Sequence, residues 1–227
     1  MKVHLYKNLR KTIFILFILL TALNSSAQKL RPFVGTGAFV HLYSFEKDLQ
    51  SSPALSLSAG LEYKVISFLS PEIEINYMFG KFKNKTDSNQ TGSLSTVSDK
   101  SFSTVNFSFC PKILLGSCDK SSCTYLQILP KYMLSLINVT ETKGNNTLGS
   151  PMTERSLSVW QHNIGLGVGL VINFDTWYSN SLAINMCYNT IRVSKPFDQL
   201  NPGTEPTDNV GVYGLEFKYY FGVKRLK

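Results

Sequence analysis

The chain of 227 residues is poor in the features that announce an activity. After residue 27 no stretch stays apolar for 18 residues, which excludes a membrane-crossing helix, since a bilayer span needs roughly 20. No basic run is interleaved with aromatics, so the footprint of a nucleic-acid binder is missing despite a formal charge of +8. Four of the basic residues, Lys2, Lys7, Arg10 and Lys11, belong to a leader, and the rest of the chain carries 19 Lys and Arg against 15 Asp and Glu. Phosphate-binding glycine motifs, metal-ligand clusters and paired catalytic carboxylates do not stand out either. Neither a metal nor an organic cofactor is therefore expected.

What is present begins with an export signal over residues 1–27. The basic residues just named precede an apolar core from Ile13 to Leu23, and Ser25-Ser26-Ala27 supplies small residues before a cut ahead of Gln28. The apolar run is too short for a membrane anchor, and no Cys follows the cut to carry a lipid. Residues 28–227 are long enough for one domain and short for two.

From Ala54 to Val65 the sequence alternates strictly. Leu55, Leu57, Ala59, Leu61, Tyr63 and Val65 are apolar, while Ser56, Ser58, Gly60, Glu62 and Lys64 are small or charged. A period of two places the two sets on opposite faces of a β-strand. The same zigzag recurs at Ile73 to Phe79, after a turn over Ser67 to Pro71, and over Ser101 to Leu115, Cys123 to Ile137, Ser158 to Phe174, Leu182 to Ile191 and Val210 to Phe221. Phe33 to Tyr43 is the first strand, with Gly35, Gly37 and His41 on one face and Val34, Ala38, Val40 and Leu42 on the other.

These are eight strands whose connections alternate in length. Long polar loops are expected at Ser44 to Ser52, Gly80 to Lys100, Asn138 to Leu157 and Arg192 to Asn209, where Pro196, Pro202 and Pro206 argue against a strand. An even strand number with short turns at one end and long loops at the other describes an eight-stranded antiparallel up-and-down transmembrane β-barrel, its long loops outside the cell. Alternation alone leaves open a secreted lipocalin-like carrier, in which the apolar face would point inward. Two features favour lipid outside. The polar face is mostly Gly, Ser, Asn and Thr, suited to a narrow filled lumen. Its charges also balance, with Glu62, Glu72, Glu74 and Glu216 matched by Lys64, Lys112, Lys131 and Lys218 as an expected luminal salt-bridge network. Such a lumen leaves no aqueous channel.

Other candidate residues point to less. Cys118 and Cys123 flank a short periplasmic turn, where a disulfide or two free thiols are the alternatives. Cys110 and Cys187 read as small luminal fillers. Gly165, Gly167 and Gly169 face inward and either open a cavity or admit bulky neighbours such as Tyr220 or Met133. His41 and His162 fall toward the extracellular ends of their strands and support an alternative, a lipid-modifying outer-membrane enzyme. As a local dyad Ser158 and His162 fail, because four residues along a strand span about 13 Å.

The Ala27-Gln28 signal end, the amphipathic strands, the glycine-rich segment at Gly165 to Gly169 and the ending Glu216-Phe217-Lys218-Tyr219-Tyr220-Phe221-Gly222 together resemble the outer-membrane β-barrel domain family of Bacteroidota, which includes PorT-like proteins. Val223 to Lys227 departs from the pattern of barrels that end on an aromatic. The expectation is an integral protein of the cell outer membrane, non-enzymatic, with a structural, surface-binding or secretion-accessory role. Its expected partners are outer-membrane lipids, barrel-assembly machinery and proteins reached through the long loops.

Overall fold

A computed structural model describes residues 30–45, 48–82, 85–88, 95–116, 123–145, 152–174, 180–200 and 208–222. The leader assigned to residues 1–27 lies outside them, as does Cys118. Nine strands are formed: β1 (Leu30–Phe45), β2 (Asp48–Tyr63), β3 (Leu69–Lys81), β4 (Lys85–Ser88), β5 (Ser95–Leu115), β6 (Cys123–Asn145), β7 (Thr153–Asn173), β8 (Ser181–Asn189) and β9 (Asp208–Tyr220). Among the described residues one short helix, α1, spans Lys195–Leu200.

Eight of these strands close on themselves. Neighbours run β3-β2-β1-β9-β8-β7-β6-β5, and an additional β3–β5 pairing joins the ends. Every pairing is antiparallel. The seam between first and last strands is set by Phe33↔Tyr220 through His41↔Val212. β4 continues the line of β3 along β5: Phe82 N–H donates to the Lys100 carbonyl, and pairing resumes from Lys85↔Ser98 to Ser88↔Ser95.

Alternation settles which face is wet. Leu57, Ile75 and Leu166 are 59, 55 and 52% exposed, whereas Glu62, Lys112 and Lys218 are 0% exposed. The apolar set therefore points away from the barrel, opposite to the lipocalin arrangement. Among the described residues the outward faces of the eight wall strands hold no Lys, Arg, Asp or Glu below the outer rim, where Lys81, Asp99 and Glu154 begin. Lipid tolerates such a surface; one charge at its midplane would cost about 2–4 kcal/mol.

Three expectations about the long-loop end need correction. In the span Ser44 to Ser52 the described residues, 44–45 and 48–52, are strand rather than loop, since the β1–β2 ladder runs to Phe45↔Asp48. Asn138 to Leu157 is largely strand too, because β6 and β7 stay paired to Lys143↔Thr153. Gly80 to Lys100 contains β4 and the start of β5. A backbone ladder continues whatever its side chains, and beyond the lipid both faces are polar, so no alternation marks it. β5, β6 and β7 have 21, 23 and 21 residues. A membrane crossing takes about 9–11, leaving about 10 residues per strand, or roughly 30 Å, to project outward.

Arg192 to Asn209 is the other departure. β8 ends at Asn189, and the chain then enters the barrel mouth, where Ile191, Val193 and Phe197 are buried and Pro196 begins α1's descent into the core. Proline suits this position because the first turn of a helix has no use for its missing N–H.

Candidate functional site

The lumen is filled in layers. At the periplasmic end, residues from β1, β2, β3, β5, β6 and β9 meet in one ionic cluster. Arg31 Nε donates to Glu62 Oε2 at 2.7 Å. Lys112 pairs with Glu62 and, at 2.6 Å, with Glu72. Lys218 reaches Glu74 at 2.5 Å, Glu72 at 3.0 Å and Glu216 at 3.6 Å. Lys131 spans Glu216 at 3.2 Å and Glu74 at 3.6 Å. Four carboxylates thus face four cations, and Tyr220 donates its hydroxyl to Glu72 at 2.6 Å. The Tyr220 ring also lies under two of the cations, with Lys112 Nζ at 4.3 Å and Arg31 Cζ at 4.6 Å from its centroid.

Each of these ions would be costly alone in a dry tube. Effective desolvation runs to several kcal/mol per ion and is offset only by close pairing and further hydrogen bonds. Neutral donors complete the shell: Asn185 Nδ2 donates to Glu216 at 3.3 Å while its Oδ1 accepts from Gln127 at 2.5 Å.

Of the eight residues expected in the network, seven meet here. Lys64 is half-buried just past the end of β2, and the cation that binds Glu62 beside Lys112 is Arg31. Arg31 lies two residues before the strand expected over Phe33 to Tyr43. The signal was available, since Arg31 shares parity with Phe33, Gly35 and Gly37.

Above the ions, neutral polar wall residues share the layer with Met78 and Met133. Asn106 Nδ2 donates to Asn76 Oδ1 at 3.2 Å and Thr104 Oγ1 at 3.0 Å, and Asn163 Nδ2 to Ser135 Oγ at 2.9 Å. A cavity of about 20 Å³ lies here between Glu74, Lys131, Met133 and Ile191, room for about one water. The inward glycines of β7 add no further space. An added Cβ at Gly169 would fall 2.1 Å from Asn185 Oδ1 and 2.4 Å from the Ile184 carbonyl, so only glycine lets that ladder and side chain close up. Met133 does approach Gly165, but Tyr220 packs on Phe33 instead, ring centroids 5.2 Å apart.

The extracellular mouth is plugged by rings. His41 stacks on Tyr43 at 5.5 Å and meets the edge of Phe82 at 5.5 Å, and Phe82 meets Phe197 of α1 at 5.1 Å. Lys100 caps the plug from above, its Nζ 5.5 Å from the Phe197 ring.

The two histidines weighed for catalysis do not come together. His41 is buried inside the lumen, whereas His162 is on the outer face, its Nδ1 2.6 Å from the Tyr132 hydroxyl. Ser158 donates to Asn138 Oδ1 at 2.6 Å. Cys110 and Cys187 are free and buried on the luminal face. Cys123 is disulfide-bonded.

A closed antiparallel wall with an uncharged apolar exterior and paired ions inside defines an integral outer-membrane β-barrel of eight strands. No family model and no curated relative matches the chain. Solved structures similar in form include Ail, the attachment invasion locus protein of Yersinia pestis, bound to the heparin analogue sucrose octasulfate, at 10% identity and TM-score 0.48 over 85% of this chain and 99% of that one. Neisserial surface protein A is 16% identical with TM-score 0.44, over 85% and 97%. The N-terminal barrel domain of Pseudomonas aeruginosa OprF is 13% identical with TM-score 0.28, over 83% and 97%. The likeness is one of barrel form and carries nothing about ligand or activity.

Proposed function

We propose that this protein is a sealed, non-enzymatic outer-membrane barrel that holds a projecting β-sheet outside the cell as a binding platform. The observation that carries this reading is the mismatch between neighbouring strands. β7 has 21 residues and β8 only nine. Their pairing stops at Gly165↔Asn189, and short contacts continue it only as far as Gln161 and Arg192. Among the described residues no strand pairs with Thr153–Val159 on the side away from β6, so a row of backbone N–H and C=O groups lies along that edge above the membrane. Such an edge is a template for an added strand from a partner protein.

Support for a non-catalytic role comes from the histidines, which lie on opposite sides of the wall, and from Ser158, which is bonded to Asn138. On the strength of the Gly165-Gly167-Gly169 strand and the Glu216 to Gly222 ending, we place the chain with the PorT-like barrel domains of Bacteroidota. In this reading the leader delivers it to the barrel-assembly machinery, and its protein partners belong to the cell surface or to a secretion apparatus.

Two measurements test the proposal. Met152→Cys, placed beside the tip of β7, is expected to react with a membrane-impermeant maleimide on intact cells. The purified barrel in a planar bilayer is expected to give no channel steps. Labelling only after the envelope is permeabilised, or steady conductance, would refute the platform and the seal respectively.

A further inference from the structure

The outer surface of the wall is not uniformly convex. A groove of about 700 Å³ crosses β2, β3, β5 and β6 where the apolar band meets the rim, a size in the range of small-ligand sites. Its lower half is Leu55, Tyr77 and Phe79, all exposed, with the two rings 5.8 Å apart. Its upper half is Ser101, Ser103, Asn138 and Thr140, outward-facing hydroxyls and an amide, with Lys81 at the edge.

We propose that this groove binds one phosphate-bearing lipid of the outer leaflet, an acyl chain along Leu55, Tyr77 and Phe79 and a phosphate at Lys81. The occupant follows from the surroundings. The groove is continuous with the surface that lipid already covers, and its change from apolar to hydrogen-bonding runs in the direction from acyl chain to headgroup. Lys81 supplies the charge. Its side chain is 74% exposed and its Nζ is 4.0 Å from Asp99, whose side chain is 45% exposed, an arrangement too loose and too wet to hold it. Ser101 and Ser103 add hydroxyl donors to phosphate oxygens beside it. A soluble ligand would leave Leu55 and Phe79 facing acyl chains and gain nothing from them.

The test is native mass spectrometry of the barrel refolded in mixed micelles holding equal amounts of phosphatidylglycerol and phosphatidylcholine. One lipid is expected to remain after mild activation, with phosphatidylglycerol favoured about fivefold, the preference one basic residue gives at a membrane surface. Lys81→Gln is expected to return the ratio to that of the micelle, and Lys143→Gln, which removes a rim cation outside the groove, to leave it unchanged. Heat-modifiable gel migration checks that each variant is folded. Equal retention of both lipids by the unaltered protein, or an equal loss of preference in both variants, would overturn the proposal. It stands or falls apart from the binding platform, which lies above the lipid on β7.

Discussion

At the scale of single residues, Lys218 is the member on which the ionic cluster turns. It alone touches Glu72, Glu74 and Glu216, so its loss leaves three carboxylates with two cations, Lys112 and Lys131. Breaking a buried pair costs about 3–5 kcal/mol because the abandoned charge stays buried. Lys218→Met is therefore expected to lower the stability of the barrel by about that amount in urea unfolding from lipid vesicles, and adding Glu74→Gln to recover part of it. Gly169→Ala tests steric closure rather than charge. The new methyl meets a backbone carbonyl that cannot turn aside, and an overpacking loss of about 1–3 kcal/mol is expected in the same assay.

What could be read from the sequence at this scale was parity. Glu62, Glu72, Lys112 and Lys218 were placed on the inner face by a period of two, with no knowledge of distance. What could not be read was which cation meets which anion, because partners such as Lys218 and Glu74 are 144 residues apart and their meeting depends on closure of the tube. His162 and Ser158, too far apart along one strand to act as a dyad, share the outer face by their even spacing, and each meets a neighbour on β6.

Among the elements, α1 and the segment before it show how a run read as a loop can be core. Ile191, Val193 and Phe197 are apolar at odd positions within a proline-bearing stretch, and they fill the mouth because β8 is too short to roof it. Phe197→Ala removes a buried ring that packs on Phe82 and under Lys100. The expected cost is about 3–5 kcal/mol if the site does not collapse. Local opening should appear as faster hydrogen exchange of the amides of Phe82 and Val212, with the ionic end unaffected. No slowing of wild-type exchange relative to the variant would show that α1 does not seal the mouth. The projecting parts of β5 to β7 were hidden for the opposite reason. Their side chains are polar on both faces, so the backbone ladder that holds them leaves no mark in hydropathy.

For the whole molecule, the outward apolar band and the inward ions together predict how it behaves outside a membrane. The folded barrel should require detergent, fractionate with outer membranes and run faster on a gel when unheated than when boiled. Recovery of the folded chain from the periplasm without detergent would contradict the orientation of every strand. The fold was legible at this scale because eight zigzags of one period allow few closed arrangements, and short turns alternate with long excursions. The role was not, because the platform proposed for it is defined by backbone edges and exposed tips whose chemistry no residue pattern announces.

The ionic cluster also bears on how the barrel comes into being. Its members are spread from Arg31 to Lys218, and the seam strands β1 and β9 both contribute. Before the seam zips, Lys218 has neither Glu72 nor Glu74 to meet, and Arg31 and Lys112 lack the Tyr220 ring between them. An incompletely wound sheet thus lacks these contacts until its last strand arrives, and they act as a latch on the closed seam.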